Sequence, residues 1–113
     1  MKIPEEGTLL RIFIGEADRW KGRPLHAAIV EAARQRGMAG ATVTKGMLGF
    51  GRNSRMHAAN ILRLSEDLPV IIELVDSAEK ITAFMPELDG MIADGLVTME
   101  PVRVLLYRSE QKA

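Results

Sequence analysis

Hydrophobic and polar residues follow two different periods along the chain, and each period predicts one type of secondary structure. Alternate residues from Leu10 to Ile14 are aliphatic, which predicts a strand over 9–14 with one buried face. From Pro24 the apolar residues recur at spacings of three and four, which predicts a helix that starts at Pro24 and is capped by Gly37. The apolar stripe of this helix consists of Leu25, Ala28, Ile29, Ala32 and Ala33.

Three further segments show the pattern of strands. A run of β-branched residues predicts a strand over 41–47, and alternating aliphatic residues predict another over 69–75. A last strand region covers 96–107 and is interrupted at Pro101, because proline has no N–H to donate to a strand ladder. The dipeptide Asp94-Gly95 predicts the turn that leads into it.

A second helix lies between the last two strands. Apolar residues up to Ile92 recur at helical spacing, and Asp76 with Glu79 three residues later matches the spacing of a capping box. Pro86 falls inside this helix and is expected to kink it, or to split it near Thr82. The helix is expected to continue to the turn before the last strand.

The element order β-α-β-β-α-β predicts an α+β, ferredoxin-like fold, in which two helices cover one face of a four-stranded antiparallel sheet. We expect a single domain over 1–113, with a long loop at about 48–66 and a flexible tail at 109–113. No helix remains to cover the second face of the sheet, which is apolar enough to predict self-association. The apolar residues assigned to that face are Leu9, Phe13, Ile71, Leu105 and Tyr107.

Composition narrows the classes of function. Lys and Arg number 15, as do Asp and Glu, so no net charge attracts a nucleic acid or an anionic membrane. The absence of cysteine excludes disulfides and thiolate chemistry. The N-terminus lacks the apolar core of a signal peptide, and no apolar run reaches the roughly 20 residues of a membrane span, so we expect a cytoplasmic protein that is not membrane-inserted.

The segment 41–55 carries the strongest indication of a binding site. A strand runs into Gly46, Gly49 and Gly51, and a basic stretch follows without an acidic residue up to position 63. Glycine backbone and cations together can cradle an anion such as a phosphate, although glycines after a strand more often form a bulge or turn. Within the loop, the residues that we assign to partner binding are Arg55, His57 and Arg63.

Three motifs in this order resemble the nitrogen-regulatory PII signalling proteins and, more closely, their uncharacterised PII-like relatives of similar length. Lys45-Gly46 with Gly49-Phe50-Gly51-Arg52 resembles the Lys-Gly-Phe-Gly-Arg-Gln run that opens the PII T-loop, with two extra residues before the second glycine. Residues 90–95, Gly-Met-Ile-Ala-Asp-Gly, resemble the PII B-loop, and 104–108, Val-Leu-Leu-Tyr-Arg, resemble its arginine-bearing last strand. The resemblance covers nearly the whole chain.

The resemblance implies a homotrimer that packs through its sheets and binds adenine nucleotides in clefts between subunits. It also implies a regulatory role, in which the long loop docks on a partner such as a membrane transporter or channel. The implied nucleotide-binding residues are Gly49, Phe50, Gly51 and Arg52 at the base of the T-loop, Gly90 and Gly95 in the B-loop, and Arg108 at the end of the chain.

Departures from the PII pattern reduce the positive charge of the implied site. Leu96 stands where PII has a phosphate-binding lysine, Leu106 where it has a second arginine, and Asn53 where it has a glutamine. At about 1.5–3 kcal/mol per charged hydrogen bond, the two missing cations weaken triphosphate binding strongly. We therefore expect AMP, ADP or a cyclic nucleotide as the ligand rather than ATP, with no cofactor required.

Other classes of function remain open at this point. The same fold suits a protein-interaction module that needs no ligand, in which the loop alone reads a partner. A metal-ion-responsive trimer is a further alternative, although two distant histidines without cysteine make a poor metal site. We expect no enzymatic activity, because the sequence offers no convergent acid, base and nucleophile.

Overall fold

The structure, a computed structural model, describes residues 5–51 and 67–109. Within these residues two helices and four main strands appear in the predicted order, and a ribbon of two short strands, each of two residues, is added before the first helix. In chain order the elements are β1 (Glu6–Gly15), β2 (Arg19–Trp20), β3 (Arg23–Pro24), α1 (Leu25–Gln35), β4 (Ala41–Lys45), β5 (Pro69–Asp76), α2 (Ala78–Asp89) and β6 (Leu96–Arg103). The second main strand, β4, is therefore two residues shorter than predicted.

The main sheet has the strand order β4-β5-β1-β6, and every neighbouring pair is antiparallel. Ile12 in the central strand β1 pairs with Ile72 on one side and with Val97 on the other. The α+β class and the ferredoxin-like arrangement are therefore confirmed. β4 and β6 form the two edges of this sheet.

The hydrophobic core lies between the helices and one face of the sheet. Alternate residues of β1 and β5 are buried there, as period-two patterning requires. The predicted stripe of α1 is confirmed, since all five of its residues are buried, and α2 contributes Ile81, Phe84 and Leu88. The core residues with 1% exposure or less include Leu10, Ile12, Ile29, Ile72, Leu74 and Phe84.

The predicted C-terminal end of α1 is confirmed, whereas its predicted first residue is wrong. Gly37 has a φ of +71°, and its N–H donates to Arg34 O at 3.0 Å, while Met38 N–H donates to Ala33 O at 3.2 Å. This is the Schellman arrangement that a C-terminal glycine predicts. At the start, however, Pro24 precedes the helix, with ψ at 131°, because it belongs to the β2–β3 ribbon.

The predicted capping box at the start of α2 is wrong by one residue. Ser77 is the N-cap, and its side-chain oxygen accepts from Lys80 N–H at 3.2 Å. Asp76 instead ends β5, where it is buried. Its carboxylate accepts hydrogen bonds from Ser77 N–H at 2.7 Å and Ala39 N–H at 2.9 Å. The spacing alone could not separate these two roles, because Asp and Ser both cap helices.

The body of α2 also differs from the prediction. The helix runs unbroken through Pro86, so the predicted split near Thr82 does not occur, and the buried side chains on either side hold the segment against the core. It ends at Asp89 rather than at the later turn. Met91 nevertheless remains buried, because the following turn folds back and Met91 N–H donates to Leu88 O at 2.9 Å.

The last strand was predicted wrongly in two respects. Pro101 lies within β6 and does not interrupt it, because β6 is an edge strand and its outer side needs no donor. The strand ends at Arg103, so Leu105 and Tyr107 are not part of the sheet. Leu105 is 83% exposed, and the Tyr107 hydroxyl donates to Ala39 O at 2.9 Å.

The sheet face away from the helices, which we call the open face, keeps the other predicted residues. Leu9, Phe13 and Ile71 lie on it and are half-buried. At its centre Arg11 contacts Glu73 at 2.8 Å and Glu100 at 3.4 Å. The open face thus combines apolar residues with one charged cluster that is already internally paired.

Candidate functional site

The glycine loop, residues 46–51, begins where β4 ends and folds around Pro69. Gly46 N–H donates to Pro69 O at 2.7 Å. A Cβ at Gly46 would lie 2.7 Å from Pro69 Cγ, and one at Gly49 would lie 3.1 Å from the same atom. Close packing on one proline ring therefore accounts for the glycine at position 46 and leaves little room for a side chain at position 49, which supports the simpler explanation of a turn for these two positions.

The rest of the glycine loop exposes large apolar side chains to solvent. Met47 is 92% exposed, Phe50 74% and Leu48 57%. Exposed apolar residues concentrated in one loop are typical of a contact surface. The structure describes this loop only as far as Gly51. The predicted site residues that lie outside the described residues are Arg52, Arg55, His57 and Arg63.

The glycine turn, residues 90–95, joins α2 to β6. A Cβ at Gly95 would lie 2.8 Å from the backbone oxygen of Phe13, so only glycine allows this close approach to β1. Gly90 differs: its φ is −73°, and the nearest atom to an added Cβ is 3.6 Å away. Neither space nor backbone conformation requires a glycine at position 90.

A shallow groove of about 280 Å³ adjoins the glycine turn between the end of α2 and the start of β6. Its lining combines apolar side chains with one carboxylate. The lining residues are Met85, Leu88, Asp89, Ile92, Ala93, Gly95 and Val97. The turn therefore offers a partly apolar recess beside its backbone.

The two glycine segments lie at the same end of the sheet but at opposite edges. Lys45, the last residue of β4, pairs with Val70 near the start of β5, and Leu96, the first residue of β6, pairs with Phe13 near the end of β1. Because β1 and β5 are antiparallel neighbours, the end of β4 and the start of β6 lie at the same end of the sheet. Two strands lie between β4 and β6, so the two edge strands are about 14 Å apart at the usual strand spacing. One chain therefore does not bring the two segments together into one pocket.

Arg108 lies away from both glycine segments within the chain. The preceding Tyr107 is bonded to Ala39, just before β4 begins, whereas the glycine loop follows the last residue of β4. β4 alone separates these points by about 13 Å, at roughly 3.3 Å per residue. The arginine therefore stands near the opposite end of the sheet.

Sequence reasoning missed a contact at the base of the glycine loop. Lys45 Nζ donates to Glu16 Oε2 at 3.0 Å. The other oxygen, Glu16 Oε1, is buried and accepts no hydrogen bond from the described residues. The two residues lie 29 positions apart, at the ends of strands β1 and β4, which are not neighbours in the sheet, so no local motif indicates the pair.

The described residues add two further observations about binding. They contain no group of three or more His, Asp or Glu side chains placed to hold a metal ion. Neither described helix is long and apolar enough to cross a membrane.

Two solved structures of PII-like proteins share the fold of this chain. A PII-like signalling protein from Thermus thermophilus superposes with a TM-score of 0.62 at 19% identity, covering 88% of this chain and 89% of that one. CPII from Thiomonas intermedia K12, a nitrogen regulatory PII-like protein bound to ADP, AMP and bicarbonate, gives 0.59 at 16% identity and covers 88% of each chain. The fold is therefore PII-like.

The chain belongs to the DUF190 family, described as "Uncharacterized ACR, COG1993", whose model matches residues 7–104. A UPF0166 protein from Aquifex aeolicus is 37% identical over 97 residues, which are 86% of this chain and 91% of that protein. A UPF0166 protein from Methanocaldococcus jannaschii is 36% identical over 106 residues, 93% and 95% of the two chains. The resemblance to the PII-like family is thereby confirmed.

Proposed function

We propose that this protein is a trimeric PII-like regulator that binds a small adenine nucleotide between its subunits. The nucleotide changes the state of the long loop at about 48–66, and the loop controls a partner such as a membrane transporter or channel. The PII-like fold supports this proposal, and so does the fact that CPII, which shares the fold, is bound to ADP and AMP.

The observation that carries the proposal is the position of the two glycine segments. Each contains one tightly packed glycine, Gly46 or Gly95, and both segments lie at the same end of the sheet but at opposite edges. Copies arranged in a ring place one edge of each chain beside the other edge of its neighbour. The open face, with its half-buried Leu9, Phe13 and Ile71, provides apolar area for such packing.

Seven residues are assigned to the nucleotide site in this proposal. They are Gly49, Phe50, Gly51 and Arg52 from one segment, Gly90 and Gly95 from the other, and Arg108 from the end of the chain. Leu96, which opens β6 beside the glycine turn, is 56% exposed and brings no charge to the phosphates. The reduced charge favours AMP, ADP or a cyclic nucleotide over ATP.

Calorimetry and light scattering together test the proposal. Titration with AMP, ADP, ATP and cyclic dinucleotides is expected to show binding well below millimolar for at least one of them, and light scattering is expected to show three chains per particle. A monomer, or a trimer that binds none of these nucleotides below millimolar, contradicts the proposal.

Arginine substitutions test the assigned phosphate contacts. Arg52→Ala and Arg108→Ala are each expected to weaken nucleotide binding about 10- to 100-fold, the usual loss for a charged hydrogen bond. Arg34→Ala is the matched control, because Arg34 lies exposed on α1. If all three variants bind the nucleotide like the wild type, Arg52 and Arg108 do not contact phosphate.

One observation favours a second candidate, a protein-interaction module that needs no ligand. Met47, Leu48 and Phe50 are exposed together and are suited to contact a protein surface. Hydrogen exchange separates the two functions. Protection of the glycine loop by nucleotide alone supports the sensor, whereas protection by the partner alone, with none from nucleotide, supports the interaction module.

A further inference from the structure

The ribbon formed by β2 and β3 carries cations that the fold does not neutralise. Arg19, Lys21 and Arg23 are exposed, and none of them contacts a carboxylate among the described residues. Arg19 donates to the backbone oxygen of Gly22, and Lys21 Nζ lies 4.6 Å from the centroid of the Trp20 ring. The cations that do contact a carboxylate are Arg11, Arg36, Lys45 and Arg103. A chain with no net charge therefore still presents a local excess of positive charge.

The ribbon and the glycine loop begin beside each other at one end of the sheet. β1 ends at Gly15, which pairs with Pro69, and Pro69 O accepts from Gly46 N–H at 2.7 Å. The residue after Gly15, Glu16, contacts Lys45 at 3.0 Å at the base of the loop. The ribbon follows a few residues later. Its cations and the glycine loop therefore belong to the same end of the molecule.

The carboxylates beside the base of the ribbon are engaged within the chain. Asp18 accepts from Gly15 N–H at 3.0 Å. Asp67 accepts from Ala17 N–H, also at 3.0 Å. Glu16 is paired with the lysine at the base of the glycine loop. The ribbon itself contains no acidic residue, so nothing within it offsets the attraction of its cations for an external anion.

The same end of the molecule also exposes Met47, Leu48 and Phe50 of the glycine loop. An acidic protein segment or a free phosphate satisfies the cations but offers these side chains no apolar contact. The surface of an anionic bilayer offers both. Its headgroups attract cations within about 8 Å at physiological salt, and the boundary between headgroups and acyl chains takes up apolar groups.

We infer that this end of the protein docks on the surface of an anionic lipid bilayer. The ribbon cations lie at the headgroups, and the apolar side chains of the glycine loop enter the boundary with the acyl chains. The protein binds the surface in this way without crossing it. The inference goes beyond the proposed function, because docking requires no nucleotide.

Sedimentation with lipid vesicles at low ionic strength tests the electrostatic part. Without nucleotide, the wild type is expected to bind phosphatidylcholine vesicles with roughly one-third phosphatidylserine about 100-fold more tightly than phosphatidylcholine alone. Arg23→Gln is expected to weaken that binding at least about fivefold, the usual effect of one cation near an anionic surface. Arg34→Gln is the matched control, because it removes an exposed cation from the far end of α1, and it is expected to bind like the wild type.

The absence of cysteine allows apolar insertion to be measured directly. Met47→Cys and Leu105→Cys each create one attachment point for a polarity-sensitive fluorophore, and both of these side chains are exposed in the wild type. Position 105 follows the end of β6, which pairs with the start of β1 at the opposite end of the sheet. Anionic vesicles are expected to shift the emission of the label at position 47 to shorter wavelength and to leave the label at position 105 unchanged.

Three results, each with variants whose melting temperature shows that they are folded, overturn the inference. The first is a wild type that does not bind the anionic vesicles, and binding of polyglutamate in that case assigns the ribbon to an acidic protein partner. The second is an equal affinity of Arg23→Gln and Arg34→Gln, which indicates an effect of total charge. The third is an unchanged emission at position 47, or an equal shift at both labelled positions. None of these measurements contains nucleotide, so failure of the proposed nucleotide site is recognised separately.

Discussion

The glycine turn and the glycine loop use the same residue type for different physical reasons. In the turn, Gly95 is fixed by a backbone atom of the central strand β1, while Gly90 meets no such constraint. In the loop, Gly46 and Gly49 pack on the side chain of Pro69, and a side chain, unlike a backbone atom, can be removed by mutation. A glycine-rich motif therefore does not by itself indicate contact with a ligand. The glycine that packing does not explain is the most informative one to test.

Gly95→Ala is expected to have the largest effect on stability. Its Cβ would lie 2.8 Å from Phe13 O, and a backbone oxygen in the middle of a sheet cannot move without disturbing the ladder. We expect the free energy of unfolding to fall by about 1–3 kcal/mol, measured by urea denaturation. A variant as stable as the wild type would show that the turn shifts freely away from β1.

Gly46→Ala is expected to have a smaller effect that a second substitution can reverse. The close contact is with Pro69 Cγ at 2.7 Å, so the loss is expected to be about 1–2 kcal/mol. The double variant Gly46→Ala with Pro69→Ala removes the ring that causes the clash. A double-mutant cycle is expected to give a favourable coupling above roughly 0.5 kcal/mol. Simple additivity would mean that the ring is not the obstacle.

Gly90→Ala is expected to have the smallest effect on stability, and of opposite sign. Because its φ of −73° suits alanine and no atom lies closer than 3.6 Å, the free energy of unfolding is expected to rise by about 0.4–1 kcal/mol. Nucleotide affinity is expected to fall if ligand approaches this backbone closely. Unchanged affinity, measured by calorimetry on the same preparation, removes Gly90 from the site.

The fold was predictable because its main determinants are periodic. Aliphatic alternation in β1 and β5 and the five-residue stripe of α1 correspond to faces buried in the structure. The errors arose where one local pattern fits two structures. Asp76 and Ser77 both suit a helix cap, and Met91 continues the helical spacing of α2 although the turn after the helix is what buries it.

The candidate site was less predictable, because its parts come from distant positions. The sequence identifies both glycine segments but not that they lie at opposite edges, which depends on strand order. It also does not reveal Glu16, whose contact with Lys45 forms across the intervening strand β5. The exposed Phe50 and the distant Arg108 remain predictions from resemblance, since a single chain does not bring them together.

The placement of the glycine segments at opposite edges has a consequence for equilibrium measurements. If the nucleotide binds between subunits as proposed, a dissociated chain carries two half-sites and no complete site, so ligand occupancy and chain association are linked by mass action. Dilution should then lower the apparent affinity, and saturating nucleotide should hold the particle together at concentrations where the empty form falls apart. The proposed closed ring of n copies contains n seams, which predicts one ligand per chain.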